Sequence, residues 1–123
     1  MPRSPESTLK IRLRVTRGDA DAFGPGKAQL LESLLETGSL NQSARNLKMS
    51  YVKALALVRT MNANFADPLV VLSRGGRQGG GTQVSELGKL VLTEYGALQK
   101  SCEKAAQIHW RRIQKLLKGA KVS

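Results

Sequence analysis

Apolar and polar positions change period several times along this 123-residue chain, and each change marks an element. Lys10-Ile11-Arg12-Leu13-Arg14-Val15 alternates strictly, with Ile11, Leu13 and Val15 on one side and three basic residues on the other. That is the pattern of a half-buried strand. Gly18 to Gly24 reads as a loop, and Pro25 stands where the first position of a helix tolerates a missing N–H. Leu30, Leu31, Leu34 and Leu35 repeat at helical spacing until Gly38, which ends the helix. Ser39-Leu40-Asn41-Gln42 is a capping box, serine at the cap and glutamine three residues on, so a second helix starts at once. It is short, because Ser50 caps a third helix from Tyr51 to about Phe65, and Pro68 blocks continuation. Leu69-Val70-Val71-Leu72 is a strand-like run and Arg74 to Gly81 a glycine-rich loop. Thr82-Gln83-Val84 returns as a strand, and Ser85 caps a fourth helix extending to about Leu117.

This order predicts a mainly α fold with a small β wing: a winged helix-turn-helix plus a long C-terminal dimerisation helix. The expected division is a disordered lead over 1–8, the winged domain over 9–85, the long helix over 86–117 and a basic tail over 118–123. The spacing inside the helix pair narrows the alternatives, of which a plain helical hairpin is the main one. With Leu40 as the first of twenty positions, Ala44 falls at the fifth, where a larger side chain would push two crossed helices apart. Leu47, Met49, Ala54 and Leu57 fall at the eighth, tenth, fifteenth and eighteenth, which fill the space between the helices. Lys48 sits in the turn, where glycine is often preferred because a left-handed backbone is cheap for it.

Charge adds a partner to this picture. The chain carries 20 Lys and Arg against 9 Asp and Glu, a net charge of +11. Between Thr37 and Ser85 the only acid is Asp67, against Arg45, Lys48, Lys53, Arg59, Arg74 and Arg77. Solvated faces usually mix signs, so this bias points to a contact surface for a polyanion, double-stranded DNA first. Two further basic groups, at 10–17 and 104–121, have no assigned role. The longest apolar run, Ala54 to Val58, is far shorter than the ~18 residues of a spanning helix, so no membrane partner is expected. The start has no secretory signal and Cys102 is the lone cysteine, which fits a cytoplasmic location.

Placed on the predicted elements, the residues that would meet DNA are Ser50, Tyr51, Val52 and Lys53 at the start of the third helix, with Arg59 further along. Lys53 is suited to guanine O6 and N7 or to a phosphate. Tyr51 would contact a phosphate or a thymine methyl, or else serve as a core aromatic. Asn41, Gln42 and Arg45 on the second helix are natural phosphate partners. In the loop, Arg74, Arg77 and Gln78 supply donors, and the glycines let the backbone approach a phosphate or a minor groove; a merely flexible hairpin is the alternative. The loop lacks GxGxxG spacing and a terminal Gly-Lys-Ser/Thr, which argues against a nucleotide site. On the last helix Leu87, Leu90, Val91, Leu98, Cys102, Ala105, His109, Ile113 and Leu116 recur every three or four residues, a stripe suited to a second copy of the chain. His109 has no Cys, Asp or Glu at metal spacing and Cys102 has no local base, so no metal, cofactor, catalytic group or small-molecule effector site is expected.

Gly38-Ser39-Leu40-Asn41-Gln42-Ser43-Ala44, Met49-Ser50-Tyr51-Val52-Lys53-Ala54, Met61-Asn62, the loop Arg74 to Gly81 and Val84-Ser85-Glu86-Leu87-Gly88 together resemble the N-terminal DNA-binding domain of the ModE-type molybdate-responsive regulators. That domain is akin to the winged helix of LysR-type regulators. The resemblance covers roughly residues 9–108 and implies a bacterial or archaeal homodimer paired through the helix after the wing. Serine stands where threonine is usual before Glu86-Leu87-Gly88. The family's C-terminal molybdate-binding domains have no counterpart here, so a stand-alone form is expected, with a link to molybdenum regulation implied by the resemblance alone. The expectation is therefore a sequence-specific, homodimeric transcriptional regulator and not an enzyme. A nucleoid-associated or architectural DNA-binding protein with weak sequence preference is the alternative.

Overall fold

The computed structural model of the chain describes residues 5–73 and 81–119. Its elements are β1 (Val15–Arg17), β2 (Ala20–Phe23), α1 (Pro25–Thr37), α2 (Leu40–Asn46), α3 (Tyr51–Asn64), β3 (Val70–Leu72), β4 (Thr82–Val84) and α4 (Glu86–Gln114). The fold is α-dominant, with two small antiparallel ribbons, β1–β2 and β3–β4.

The helix boundaries follow from local chemistry. Pro25 opens α1 and Gly38 closes it at φ 64, its N–H donating to the Leu34 carbonyl. Ser39, Ser50 and Ser85 cap α2, α3 and α4, each hydroxyl accepting the N–H three residues on, from Gln42, Lys53 and Gly88. Only half of the expected capping box forms. The Ser39 N–H goes to Thr37 Oγ1 (3.1 Å), and the Gln42 amide instead donates to Asn46 Oδ1 (2.9 Å).

Leu30, Leu31 and Leu34 of α1 are buried among Leu40 and Ala44 of α2 and Ala54, Val58 and Met61 of α3. Burying a leucine of this kind contributes about 1.5–3 kcal/mol, so this three-helix contact is a large contribution to the fold's stability. Phe23 fills one end, edge-on to Phe65 at 6.1 Å and to Tyr95 at 5.0 Å between ring centroids. A polar pin joins α1 to α2. Ser33 Oγ donates to the fully buried Ser43 hydroxyl (2.9 Å), which lies 2.8 Å from Thr37 Oγ1. Thr37 spends its own proton on the Ser39 carbonyl, so Ser43 is the donor in that pair.

Three expectations are corrected. The alternating stretch 10–15 is not a strand; only Val15 enters β1, and Val15 is exposed. The segment before it lies against α4, with Tyr95 Oη donating to the Leu13 carbonyl (2.7 Å), Gln99 Nε2 to the Ile11 carbonyl (2.8 Å) and Gln114 Nε2 to Ser7 Oγ (2.9 Å). Ile11 and Leu13 are half-buried as the alternation implies, but their main-chain partners are helix side chains. The expected loop 18–24 contains β2, reached by a turn at Gly18, where φ is 60. Finally, α4 ends at Gln114, so Leu116 and Leu117 lie in the turn that follows.

Candidate nucleic-acid interface

The turn between α2 and α3 spans residues 47–50, and Lys48 adopts φ 56, the left-handed conformation that glycine takes most cheaply. The Met49 N–H donates to the Ala44 carbonyl (2.9 Å) and the Lys48 N–H to the Arg45 carbonyl (3.1 Å), which closes the turn. Ala44 and Ala54 are buried where the two helices meet, as their small size requires, and Leu47 and Met49 are half-buried beside them. Leu57 is only half-buried; the fully enclosed position is its neighbour Val58.

Ala54, Val58 and Met61 recur at i, i+4 and i+7, so they turn one side of α3 into the core and the opposite side outward. That outward side carries Val52, Lys53, Ala56 and Arg59, with Val52 76% exposed. Tyr51 is 48% exposed at the helix start, which removes the core-aromatic reading. Ala56 is an outward residue that the spacing of the helix pair did not select. The signal was available, because apolar residues off the buried i, i+4, i+7 rows must face solvent. Ser50 is committed to its cap, so its hydroxyl already accepts the Lys53 N–H (3.0 Å). On α2, Asn41, Gln42 and Arg45 are all exposed. Among the described residues the ion pairs are Arg14–Asp21 and Lys89–Glu86, so Arg45, Lys48, Lys53 and Arg59 face solvent without an acidic partner. Arg74, Arg77 and Gln78 lie outside the described residues.

The β3–β4 ribbon is fastened to α3 by Asn62, which sequence reading missed as a structural residue. Its Oδ1 accepts the Leu69 N–H (2.8 Å) and the Val70 N–H (3.2 Å), and its Nδ2 donates to the Val70 carbonyl (2.9 Å). The side chain thus supplies the pairing that a neighbouring strand would give. Ser85 holds the other end, donating to the Pro68 carbonyl (2.7 Å) while capping α4.

The α4 stripe divides. Leu87 and Val91 pack on the chain's own core, together with Leu92 and Tyr95, and so are spent inside the domain. Cys102 is half-buried. Leu90, Leu98, Ala105, His109 and Ile113 are exposed, as is Leu116 beyond the helix end. Ile108, 55% exposed, joins the outward group although the periodicity argument passed over it. Among the described residues no cluster of His, Cys, Asp or Glu could hold a metal ion, and no helix is long and apolar enough to cross a membrane.

No family model matches the chain, and its similarities are to proteins named for molybdenum transport, molybdenum-pterin binding and transcriptional regulation. The chain is 34% identical over 100 residues to the molybdenum-pterin-binding protein MopA of Rhodobacter capsulatus, covering 81% of this chain and 38% of MopA. It is 32% identical over 99 residues to the transcriptional regulator ModE of Haemophilus influenzae, covering 80% and 39%. The molybdenum transport protein ModE of Azotobacter vinelandii is 40% identical over 78 residues, 63% of this chain and 29% of that protein. The matched region thus spans less than two-fifths of the length of each of these relatives.

Proposed function

We propose that this chain is the DNA-binding and pairing unit of a transcriptional regulator, with α2 and α3 as a helix-turn-helix and β3–β4 as the base of a wing. The observation that carries the reading is the outward face of α3, where Val52, Lys53, Ala56 and Arg59 stand exposed with no acid on the helix. At 1.5 Å per residue α3 is a rod of roughly 21 Å, and a helix of its width fits the ~12 Å major groove. Lys53 reads base edges, Tyr51 contacts a phosphate or a thymine methyl, and Arg45, Asn41 and Gln42 hold flanking phosphates. Arg74, Arg77 and Gln78 extend the contact to the backbone or minor groove. Pairing runs through the exposed side of α4, which sets two α3 helices about one DNA turn, or a multiple, apart. The names of the relatives favour a regulon concerned with molybdenum.

Selection of bound sites from random DNA tests the reading. A regulator yields two related half-sites at fixed spacing and binds them roughly 10³-fold or more tighter than unrelated duplex. Lys53→Ala should relax preference at one position per half-site. Recovery of unrelated sequences with no fixed spacing would replace this reading with an architectural one.

A further inference from the structure

Along α3 runs a row of side chains that the fold itself does not use. At 100° per residue, Val52, Ala56, Arg59 and Ala63 fall within an arc of about 60°, opposite the buried Ala54, Val58 and Met61. All four are exposed, Val52 at 76%. A single exposed valine needs no partner. Here three of the four residues are apolar and in line, and the charges around them share one sign. Lys53 stands beside Val52, Arg59 lies within the row, and Arg45 and Lys48 precede it, none with an acidic partner among the described residues. Such surroundings suit a polyanion, and the row suits whatever apolar groups that polyanion displays.

The polar groups of α3 narrow what the row can meet. Reading adenine in the major groove takes an asparagine or glutamine amide, and reading cytosine takes a carboxylate. No glutamine, aspartate or glutamate lies on α3. Both of its asparagines are committed, Asn62 to the backbone of Leu69 and Val70, and Asn64 Nδ2 to the Thr60 carbonyl (2.8 Å). Thr60 Oγ1 in turn donates to the Ala56 carbonyl (3.0 Å). Lys53 and Arg59 have the donors for guanine or phosphate. An A·T pair therefore presents this row with one feature it can recognise, the C5 methyl of thymine, which apolar side chains contact.

We infer that Val52 and Ala56 are specificity-determining residues that read thymine methyl groups in the major groove. The inference rests on α3 as the helix that enters DNA, and it names the base feature that helix selects. The two residues are about 6 Å apart along the helix, the rise of about two base pairs, so the methyls they meet lie close together in each half-site.

Deoxyuracil substitution tests this with the full chain and the duplexes recovered by site selection. Replacing one thymine by deoxyuracil removes a methyl and keeps the base pairing and O4. Affinity should fall about fourfold at each contacted thymine, the worth of one buried methyl group. Replacing the paired adenines by 7-deazaadenine, which removes N7, should leave affinity unchanged. Val52→Ala should lose the response to deoxyuracil at one of the contacted positions and keep it at the other; a residue so exposed can be truncated without unfolding the chain. A response that Val52→Ala keeps in full at every position overturns the assignment and moves methyl contact to Tyr51. A recovered site whose thymines all tolerate deoxyuracil also overturns it, leaves the DNA reading standing, and leaves the row open to a protein partner. Failure to recover any preferred site removes the DNA reading and this inference together.

Discussion

Gly88 shows how much a single position in this chain carries. A Cβ added there would stand 2.5 Å from the Leu69 carbonyl oxygen and 2.7 Å from Val84 Cγ1, so α4 meets the ribbon through the bare backbone of one residue. A carbonyl cannot swing aside as a side chain tip can. Gly88→Ala should therefore cost about 1–3 kcal/mol, despite the better helix propensity of alanine, which returns at most about 1 kcal/mol. Thermal unfolding checks this; an unchanged midpoint would mean that α4 does not sit so close. Lys48 presents the opposite case. Its left-handed backbone costs a non-glycine residue about 1–2 kcal/mol, while glycine loses about 0.5–1 kcal/mol more entropy on folding. Lys48→Gly should thus be stabilising by roughly 0.5–1 kcal/mol in urea unfolding, even where removing the charge weakens DNA binding. The serine caps and Gly38 were legible in the sequence because each acts within a few residues of itself. The roles of Gly88 and Asn62 were not, because the groups they meet lie elsewhere in the chain.

Among the elements, the stretch before β1 behaves least as its pattern suggests. Alternation fixes which side chains are half-buried but not what pairs with the backbone, and here Tyr95 and Gln99 of α4 take the place of a neighbouring strand. Helices, whose hydrogen bonds close internally, were legible almost to the residue, apart from the end of α4. Ribbon β1–β2 was not, since three- and four-residue strands give too short a pattern to separate from a loop. The tie at Tyr95 is testable through its proton. Burial raises the Tyr95 phenol above its ordinary value near 10, and the neutral phenol donates to the Leu13 carbonyl. In the unfolded chain the phenol ionises first, so the stability it contributes is present below about pH 10 and declines as pH rises from there towards the folded value. Tyr95→Phe should lose about 1 kcal/mol at neutral pH, and its deficit against the parent should shrink as pH rises above about 10. A deficit that stays constant over that range would show that the phenol is not the titrating group.

At the scale of the whole molecule, α4 runs on well past its last contact with the core. Its 29 residues make a rod of roughly 43 Å, and its core contacts end near Tyr95. Beyond that point the segment from Ser7 to Leu13 follows the helix on one side only. At 100° per residue, Leu90, Leu98, Ala105 and Ile108 fall within an arc of about 80°, and all four are exposed. Glu94, Ser101 and Arg112 lie in the same arc, so the stripe is mixed along its length, and its apolar positions gather in its middle around Leu98 to Ile108. A partner helix laid against it would bury Leu90, Leu98 and Ile108, each about half exposed, at roughly 1 kcal/mol or a little more apiece, set against the 4 kcal/mol or more, in rough terms, that association costs in lost freedom. Three such residues on each chain, six in the pair, leave a small surplus, whereas the one left per chain once Leu98 and Ile108 are replaced falls below the cost. Leu98→Glu with Ile108→Glu should therefore turn the proposed dimer into a monomer at micromolar concentration without unfolding it, because both residues face solvent within one chain. Sedimentation equilibrium should give twice the 13.3 kDa chain mass for the parent and the single mass for the double variant. With α3 and its charges intact, that variant should keep its affinity for a single half-site and lose the preference for fixed spacing between two. A parent chain that sediments as a monomer would remove the pairing role from α4 and leave the basic face of α3 to act singly.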